Sequence, residues 1–225
     1  MQLFLDTAEI NEISMRVNSG FIDGVTTNPS LIAQSGANIF DRLNEICSVI
    51  TGPISAEVVA TSYDNMVTEG ISLSRIAPNI VVKLPLTLDG LKACQTLTAK
   101  DIRTNITLCF STNQAWLAAK AGASFISPFV GRIDDVGGDG IGLLANIRTL
   151  YDNFGYTTKI LAASLRSPAH VEQAALVGSD AATIPVKIFD QLYIHPQTEK
   201  GLEAFLTDWS NAGHGRISQS DQHGD

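Results

Sequence analysis

Apolar and polar positions along the chain recur in two alternating patterns. Short, mostly apolar segments are followed by longer segments in which apolar residues recur at helical spacing. The short segments predict eight β-strands over Leu3–Thr7, Gly24–Asn28, Ile54–Val59, Ile80–Pro85, Asn105–Phe110, Phe125–Val130, Lys159–Ser164 and Ala181–Pro185. The longer segments predict helices over Ala8–Asn18, Ile39–Ile50, Ser62–Ile76, Leu88–Ala99, Thr112–Ala121, Ile141–Asn153 and Pro168–Val177.

This alternation predicts the fold class. Strands that alternate with helices of this length form parallel βαβ units. Eight such units in 225 residues predict an α/β protein, a single (β/α)8 TIM barrel. The alternative is an open doubly wound sheet, whose first strand is usually followed by a glycine-rich turn. Here Asp6-Thr7-Ala8 occupies that turn, which favours the barrel.

The chain continues beyond the eighth predicted strand. Val186–Leu192 is followed by a break at His195-Pro196 and by an amphipathic helix over Thr198–Trp209. One stripe of that helix is apolar and contains Leu202, Phe205, Leu206 and Trp209. We expect residues 1–212 to form the barrel plus this C-terminal helix, which packs on its own barrel or on a neighbouring subunit. The polar segment 213–225 is expected to be disordered.

Composition narrows the class of protein. The 15 basic and 23 acidic residues give a net charge of −8, which argues against nucleic-acid and anionic membrane partners. No apolar run reaches the roughly 18 residues of a membrane span, and the first residues lack the pattern of a signal peptide, so we expect a cytoplasmic protein. The three cysteines and four histidines have no ligand spacing, so neither a metal nor a cofactor is expected.

Side-chain parity then assigns the two faces of each strand. The outer face of a barrel packs against helices, whereas the inner face can carry polar groups near the carboxyl end. In Ile80–Pro85 the alternate apolar residues face the helices and Lys83 points inward. The same rule turns Leu108 toward the helices. It sends inward the side chains of Asp6, Thr26, Asn28, Glu57, Asn105, Thr107, Cys109, Ser127, Phe129, Ala162 and Ser164.

A lysine and two carboxylates in one barrel predict covalent catalysis. The alternative is a purely structural buried ion-pair network, which is costly to desolvate. An uncharged lysine amine attacks a ketone to form a Schiff base, and the iminium permits cleavage of the neighbouring carbon–carbon bond. We expect Glu57 to carry protons through a water held by Thr107, and Asp6 to accept the hydroxyl proton beyond the breaking bond. Lys187 is a second candidate, but it lies past the last strand, which favours a rim position.

Two arginines follow neighbouring strands and predict an anion site. Arg132 follows strand six and Arg166 follows strand seven, so with Ser164 they are expected to bind a substrate phosphate. The glycine-rich segment Gly137–Gly142 does not match a nucleotide-binding loop and is expected to be a flexible connection. The adjacent acids Asp134-Asp135 are expected to be solvated.

Seven segments, in order, carry a resemblance to a known family. They are Leu-Phe-Leu-Asp-Thr-Ala around Asp6, Gly-Val-Thr-Thr-Asn-Pro-Ser from Gly24, Ala-Glu-Val around Glu57, Val-Val-Lys-Leu-Pro around Lys83, Asn-Ile-Thr-Leu-Cys-Phe-Ser from Asn105, Ser-Pro-Phe-Val-Gly-Arg-Ile-Asp-Asp from Ser127, and Ala-Ser-Leu-Arg ending at Arg166. The chain resembles the small transaldolases, a group that also contains the fructose-6-phosphate aldolases.

The resemblance implies an enzyme of the pentose phosphate pathway. Such an enzyme moves a dihydroxyacetone unit from fructose 6-phosphate or sedoheptulose 7-phosphate to an aldose phosphate. It implies that Lys83 forms the Schiff base, that Glu57 and Thr107 position the catalytic water, and that Asp6 serves bond cleavage. The substrate-binding residues it implies are Thr26, Asn28, Asn105, Ser127, Phe129, Arg132, Ser164 and Arg166. It further implies a homo-oligomer, a pentamer or decamer, whose last helix crosses to a neighbour.

Two positions separate the branches of this family. The aldolases carry glutamine and tyrosine where this chain has Glu57 and Phe129, so we expect a transaldolase. The alternative is a fructose-6-phosphate aldolase that releases free dihydroxyacetone. A non-catalytic barrel that binds sugar phosphates is the alternative from another class. Cys109 stands where an aliphatic residue is expected and would place a thiol near the barrel interior.

Overall fold

The computed structural model describes residues 1–217, in which eight parallel strands close into a barrel. Each strand pairs with its neighbours in chain order, and the eighth pairs with the first. The strands are β1 Gln2–Asp6, β2 Gly24–Thr26, β3 Ile54–Glu57, β4 Ile80–Pro85, β5 Thr104–Cys109, β6 Phe125–Pro128, β7 Lys159–Ala162 and β8 Ala181–Ile184. The (β/α)8 barrel predicted from the sequence is therefore confirmed.

Helices connect the strands, and every predicted helix is present. They are α1 Ile10–Val17, α2 Pro29–Gln34, α3 Ile39–Val49, α4 Tyr63–Ser74, α5 Leu88–Thr98, α6 Thr112–Lys120, α7 Val130–Asp134, α8 Gly140–Phe154, α9 Pro168–Leu176, α10 Val186–Gln191 and α11 Pro196–Asn211. The short helices α2 and α7 were not predicted. Asn28 caps α2 by accepting a hydrogen bond from the Leu31 amide at 2.9 Å, and Pro29 takes the first helical position.

An apolar layer fills the barrel below the polar residues. Phe4, Val81, Phe125, Leu161 and Ala181 come from five strands and form one buried cluster, so they meet inside the barrel. The rings of Phe4 and Phe125 pack edge to face, with centroids 6.0 Å apart. Two residues further along four of these strands lie Asp6, Lys83, Ser127 and Thr183. The apolar layer thus forms the floor on which the polar side chains stand.

The parity rule fails at the end of β5. Leu108 adopts a left-handed backbone with φ 62°, and the pairing register shifts between Ile106 and Cys109. This irregularity turns Leu108 toward the cavity that Lys83 also lines. The thiol of Cys109 instead hydrogen-bonds the Ser111 carbonyl at the start of α6, 3.5 Å away. The predictions that Cys109 faces inward and that Leu108 faces the helices are therefore wrong.

Strand β7 also has the opposite phase from the prediction. Leu161 belongs to the apolar floor and Ala163 lines the cavity, so Ala162 points outward. Ser164 nevertheless reaches the cavity. Its φ of 58° is left-handed, a conformation that non-glycine residues rarely adopt, and it re-aims the side chain beyond the strand end.

Met1–Phe189 form one compact unit, and within the described residues 190–217 form a second. Its helix α11 is capped by His195, whose Nδ1 accepts from the Gln197 amide at 3.1 Å. The predicted apolar stripe of α11 is exposed at all four positions. That residues 1–212 form one domain stays a prediction. Of the predicted disordered tail, 213–217 form a turn and irregular backbone, and 218–225 lie outside the described residues.

Candidate active site

A polar cavity lies at the carboxyl ends of the strands. Its volume is about 130 Å³, and it is lined by Asp6, Thr26, Asn28, Lys83, Ser127, Phe129, Arg132, Ala163, Ser164 and Thr183. An adjoining cavity shares four of these residues, Lys83 among them, and adds Glu57, Thr107 and Leu108. The structure thus brings ten of the twelve predicted site residues to one end of the barrel. The two that line neither cavity are Asn105 and Arg166.

Lys83 stands where the two cavities meet. Its side chain is buried, and its Nζ lies 3.1 Å from Glu57 Oε2. The same Nζ donates a hydrogen bond to the Thr27 carbonyl at 3.1 Å. Glu57 and Lys83 are register partners on β3 and β4, so the pairing of the strands sets the ion pair. Glu57 can therefore exchange a proton with Lys83 directly, and the relay through a water at Thr107 stays a prediction.

Thr107 offers an unused hydroxyl beside this pair. It lies on β5, opposite Pro85 of β4, and it is 1% exposed. Within the described residues its Oγ1 has no hydrogen-bond partner. A buried hydroxyl without a partner is destabilising, and this one borders the cavity that Glu57 and Lys83 line. The arrangement suits Thr107 to hold a water or a substrate hydroxyl.

Asp6 occupies the opposite side of the cavity, at the end of β1. Its Oδ1 accepts a hydrogen bond from Thr26 Oγ1 at 2.8 Å. Burial raises the pKa of the Asp6 carboxyl above its ordinary value of 3.8, while the charge of Lys83 and the Thr26 hydrogen bond act in the opposite direction. A carboxyl with a raised pKa is a stronger proton acceptor, which suits Asp6 to general-base chemistry.

Asn105 lies deeper in the barrel than predicted from the sequence. It is fully buried, donates from Nδ2 to Ser55 Oγ at 3.0 Å and accepts at Oδ1 from Ser127 Oγ at 2.8 Å. Both ends of its amide are thus occupied by side chains of neighbouring strands. In this state it orients Ser127, which does line the cavity. A direct contact between Asn105 and substrate stays a prediction.

The two arginines of the predicted phosphate site have different surroundings. Arg132 lines both cavities, with its guanidinium carbon 4.9 Å from the centre of the Phe129 ring. Arg166 instead pairs with Asp135, Nη2 to Oδ2, at 2.6 Å. Its stem packs against Gly131, where a Cβ would lie 2.7 Å from Arg166 Cγ, so a larger residue there would displace it. The structure therefore brings only Arg132 and Ser164 to the cavity.

The acidic pair Asp134-Asp135 is more ordered than expected. Asp134 Oδ1 accepts from the Gly140 amide at 2.9 Å, and its Oδ2 lies 3.5 Å from His170 Nε2. With Asp135 bound to Arg166, both acids tie α7 to its surroundings. The expectation that these carboxylates are merely solvated is wrong.

Sequence reasoning missed several residues at the site, among them Thr183 and Thr27. Thr183 lines the cavity and lies 2.6 Å from Thr26, Oγ1 to Oγ1. The parity rule could have found it, because Thr183 shares the inward phase of Ala181 on β8. Thr27 contributes only its carbonyl oxygen, and no side-chain pattern signals such a contact.

Among the described residues no helix is long and apolar enough to cross a bilayer. Within residues 1–217 there is also no group of three or more histidine, cysteine, aspartate or glutamate side chains arranged to hold a metal ion.

Comparison with known proteins identifies the family. Residues 3–216 match the family described as Transaldolase/Fructose-6-phosphate aldolase. The "Probable transaldolase" of Bartonella bacilliformis is 58% identical over 213 residues, which cover 95% of this chain and 98% of that protein. Proteins with the same description from Caulobacter vibrioides and Chelativorans sp. are each 57% identical, with the same coverage. The chain belongs to the transaldolase/fructose-6-phosphate aldolase family.

Proposed function

We propose that this protein is a transaldolase that transfers a dihydroxyacetone unit between sugar phosphates through a Schiff base on Lys83. One observation carries the proposal. A buried lysine lies 3.1 Å from Glu57 and borders the same cavity as Asp6, inside a barrel at the end where such folds place their active sites. Relatives described as probable transaldolases, identical to this chain at more than half of their positions, support the same reaction.

The first step forms the Schiff base. Glu57 takes a proton from the Lys83 ammonium, and the freed amine attacks the ketone carbon of the donor sugar. The resulting carbinolamine loses its oxygen as water, which requires a proton from Glu57 or from a water held at Thr107. Both groups line the cavity into which Nζ points, so proton transfer needs no large movement.

The second step breaks the carbon–carbon bond. Asp6 accepts the proton of the hydroxyl on the far carbon of the breaking bond, and that carbon becomes an aldehyde. The bond's electron pair moves into the iminium to give an enamine. The aldose phosphate leaves, and the three-carbon unit stays on Lys83. The raised pKa of the Asp6 carboxyl suits this role, and the Thr26 hydroxyl holds it in place. In the reverse direction, the enamine attacks the acceptor aldehyde and Asp6 returns the proton.

The phosphate is proposed to bind at the rim. Arg132 and Ser164 already line the cavity there. Arg166 reaches the phosphate only after it releases Asp135, and an incoming dianion offers its guanidinium a stronger partner than an exposed carboxylate. Thr26, Asn28, Asn105 and Ser127 are proposed to bind the dihydroxyacetone unit.

Transfer rather than release is proposed because the group facing the enamine is apolar. Phe129 lines both cavities, and its ring packs edge to face on Phe110 with centroids 5.8 Å apart. A phenyl ring supplies no proton, so the enamine persists until an acceptor arrives. We infer, further, that the enzyme serves the pentose phosphate pathway in the cytoplasm as a homo-oligomer, a pentamer or decamer. The exposed apolar stripe of α11 supports the last point, because such surfaces mark interfaces.

The test is an assay with two arms. Purified protein receives fructose 6-phosphate alone, or fructose 6-phosphate with erythrose 4-phosphate, and glyceraldehyde 3-phosphate is measured in both. A transaldolase releases it in quantity only in the second arm. Equal release in both arms, with free dihydroxyacetone, would identify an aldolase. Binding of fructose 6-phosphate without turnover in either arm would identify a non-catalytic barrel. Light scattering of the same sample tests the oligomeric state.

A further inference from the structure

We infer that Thr183 is a positioning residue for Asp6: its hydroxyl donates to Thr26 and so commits the Thr26 proton to the Asp6 carboxylate. The three side chains form a short hydrogen-bonded row. Thr26 Oγ1 lies 2.8 Å from Asp6 Oδ1 and 2.6 Å from Thr183 Oγ1. Both threonine residues are almost fully buried, at 2% and 4% exposure.

Strand register places this row. Asp6 of β1 is the register partner of Thr26 on β2, so their side chains lie next to each other. On the other side of β1, Thr183 of β8 is the register partner of Phe4. Thr183 therefore lies level with Phe4, two residues before Asp6 on β1. It is linked to Asp6 through the Thr26 hydroxyl. None of the three residues lies on a loop, so the geometry is set by the barrel itself.

Counting protons gives the direction of the row. Each hydroxyl carries one proton, and an ionised carboxylate carries none. The contact with Asp6 uses the Thr26 proton, so the contact between the two threonines must use the Thr183 proton. Hydrogen bonds in such a row strengthen one another, and the one that ends on the carboxylate is the strongest. Removing the Thr183 hydroxyl weakens the Thr26 hydrogen bond and frees Thr26 to rotate away.

The row also suits the protonated state of Asp6. Once Asp6 has accepted a proton, its carboxylic acid can donate to Thr26 and Thr26 can donate to Thr183. Both hydroxyls can thus keep a partner as Asp6 gains and loses its proton.

Other charged groups around Asp6 are few. Lys83 of β4 and Arg132 of α7 line the same cavity, and Glu57 of β3 pairs with Lys83. The remaining lining groups, from β2, β6, β8 and the segments that follow β2, β6 and β7, are neutral: Thr26, Asn28, Ser127, Phe129, Ala163, Ser164 and Thr183. A substitution of Thr183 leaves all the charges in place, so any change at Asp6 reports on the hydroxyl row.

The test compares Thr183→Val, which replaces the hydroxyl by a methyl group of similar size, with Thr183→Ser, which keeps the hydroxyl. Carbon-13 NMR of protein labelled at the aspartate carboxyls gives the Asp6 pKa without substrate, and Asp6→Asn assigns its signal. We expect the valine variant to raise that pKa by about half a pH unit and the serine variant to leave it unchanged. Thr183→Ala is a second variant without the hydroxyl, should valine fail to fold.

Kinetics supply the second readout, and this part rests on the proposed transaldolase function. In Thr183→Val we expect kcat to fall about three- to tenfold, the acid limb of kcat/KM to move to higher pH, and KM to change less than twofold. An unmoved Asp6 pKa in the valine or alanine variant, or equal effects of valine and serine, would overturn the inference. A wild-type protein without transfer activity would refute the proposed function instead, and the NMR titration would still decide the role of Thr183.

Discussion

The buried and outer regions of the cavity hold their charged groups in different ways. In the buried region Lys83, Glu57 and Asp6 lie on strands. Strand register places Lys83 next to Glu57 and Asp6 next to Thr26. In the outer region Arg166 pairs with Asp135, and both side chains are about half exposed. The comparison teaches that the groups proposed for covalent chemistry are fixed by the fold, whereas a group proposed for phosphate binding can exchange partners.

Exposure to solvent determines how much it costs to break each of the two ion pairs. Water screens the Arg166–Asp135 pair, so breaking it costs little. The Lys83–Glu57 pair is largely shielded from water, and removal of one partner leaves an uncompensated buried charge. Substitutions should therefore have large effects in the buried region and graded effects in the outer one.

The largest effect is expected at Lys83. Lys83→Met removes the nucleophile while preserving the length of an apolar stem, so transfer activity should fall at least about ten-thousandfold. The matched control is Lys187→Met, an exposed lysine just past β8, which should keep nearly full activity. Turnover in Lys83→Met, or its loss in Lys187→Met alone, would reverse the assignment of the two lysines.

Glu57→Gln should have the next largest effect. The variant keeps the shape of the side chain but cannot accept the Lys83 proton, so we expect kcat to fall about 100- to 1,000-fold. Single-turnover kinetics should place the loss in formation of the Schiff base. A loss smaller than about fivefold would show that another group removes this proton.

The outer region should respond through KM. Arg132→Gln should raise KM for fructose 6-phosphate about 10- to 100-fold and leave kcat within a few-fold, because it removes a charged hydrogen-bond donor from the phosphate. Asp135→Asn should free Arg166 and leave KM unchanged or lower it about twofold. A rise in KM in Asp135→Asn would mean that the pair positions Arg166 for phosphate rather than withholding it.

The buried Asp6 carboxylate should lower the free energy of unfolding at neutral pH. Because burial raises its pKa, the folded chain binds more protons than the unfolded chain between pH 3.8 and the folded pKa. Stability therefore falls as the pH rises through that window, and the penalty persists at neutral pH. Asp6→Asn should unfold a few degrees higher than wild type at pH 7 in calorimetry, with the difference lost below about pH 4. A less stable variant at pH 7 would contradict this account.

The smallest effect is expected from the cysteines. Burial raises the pKa of the Cys109 thiol to about 12 and also raises the pKa of Cys94, so neither forms a reactive thiolate near neutral pH. In native protein treated with iodoacetamide, mass spectrometry should find alkylation at Cys47, which is only partly buried, and not at Cys109. Rapid modification of Cys109 with loss of activity would mean that its thiol faces the cavity after all.

The alternation of side chains along a strand predicted most inward-facing residues of the buried region, because regular strands point successive side chains to opposite faces. In β3 polar and apolar residues alternate, and in β4 the single charged residue Lys83 marks the inward face of an otherwise apolar strand. Glu57 and Lys83 lie where parity places them. In β7 the run from Ile160 to Ala163 is apolar throughout, as expected of a strand buried on both faces. Without alternation, the sequence does not indicate which of these residues face inward.

The remaining errors come from local backbone geometry and from loops. Leu108 and Ser164 adopt left-handed conformations although neither is glycine, and nothing in their residue types signals it. The partner of Arg166 depends on how α7 packs after β6, which periodicity cannot predict. Positions after strand ends and the family resemblance both indicated Ser164 and Arg166, but their contacts and distances required the structure.

The central claim is that Lys83 captures a ketone, and reductive trapping tests it most directly. Wild-type protein is incubated with fructose 6-phosphate, reduced with sodium borohydride, digested and analysed by mass spectrometry. The account predicts a stable adduct of the dihydroxyacetone unit or the whole sugar on the Lys83 peptide, absent from Lys83→Met. An unmodified Lys83 beside a modified Lys187, or no adduct in a protein that turns over, would contradict it.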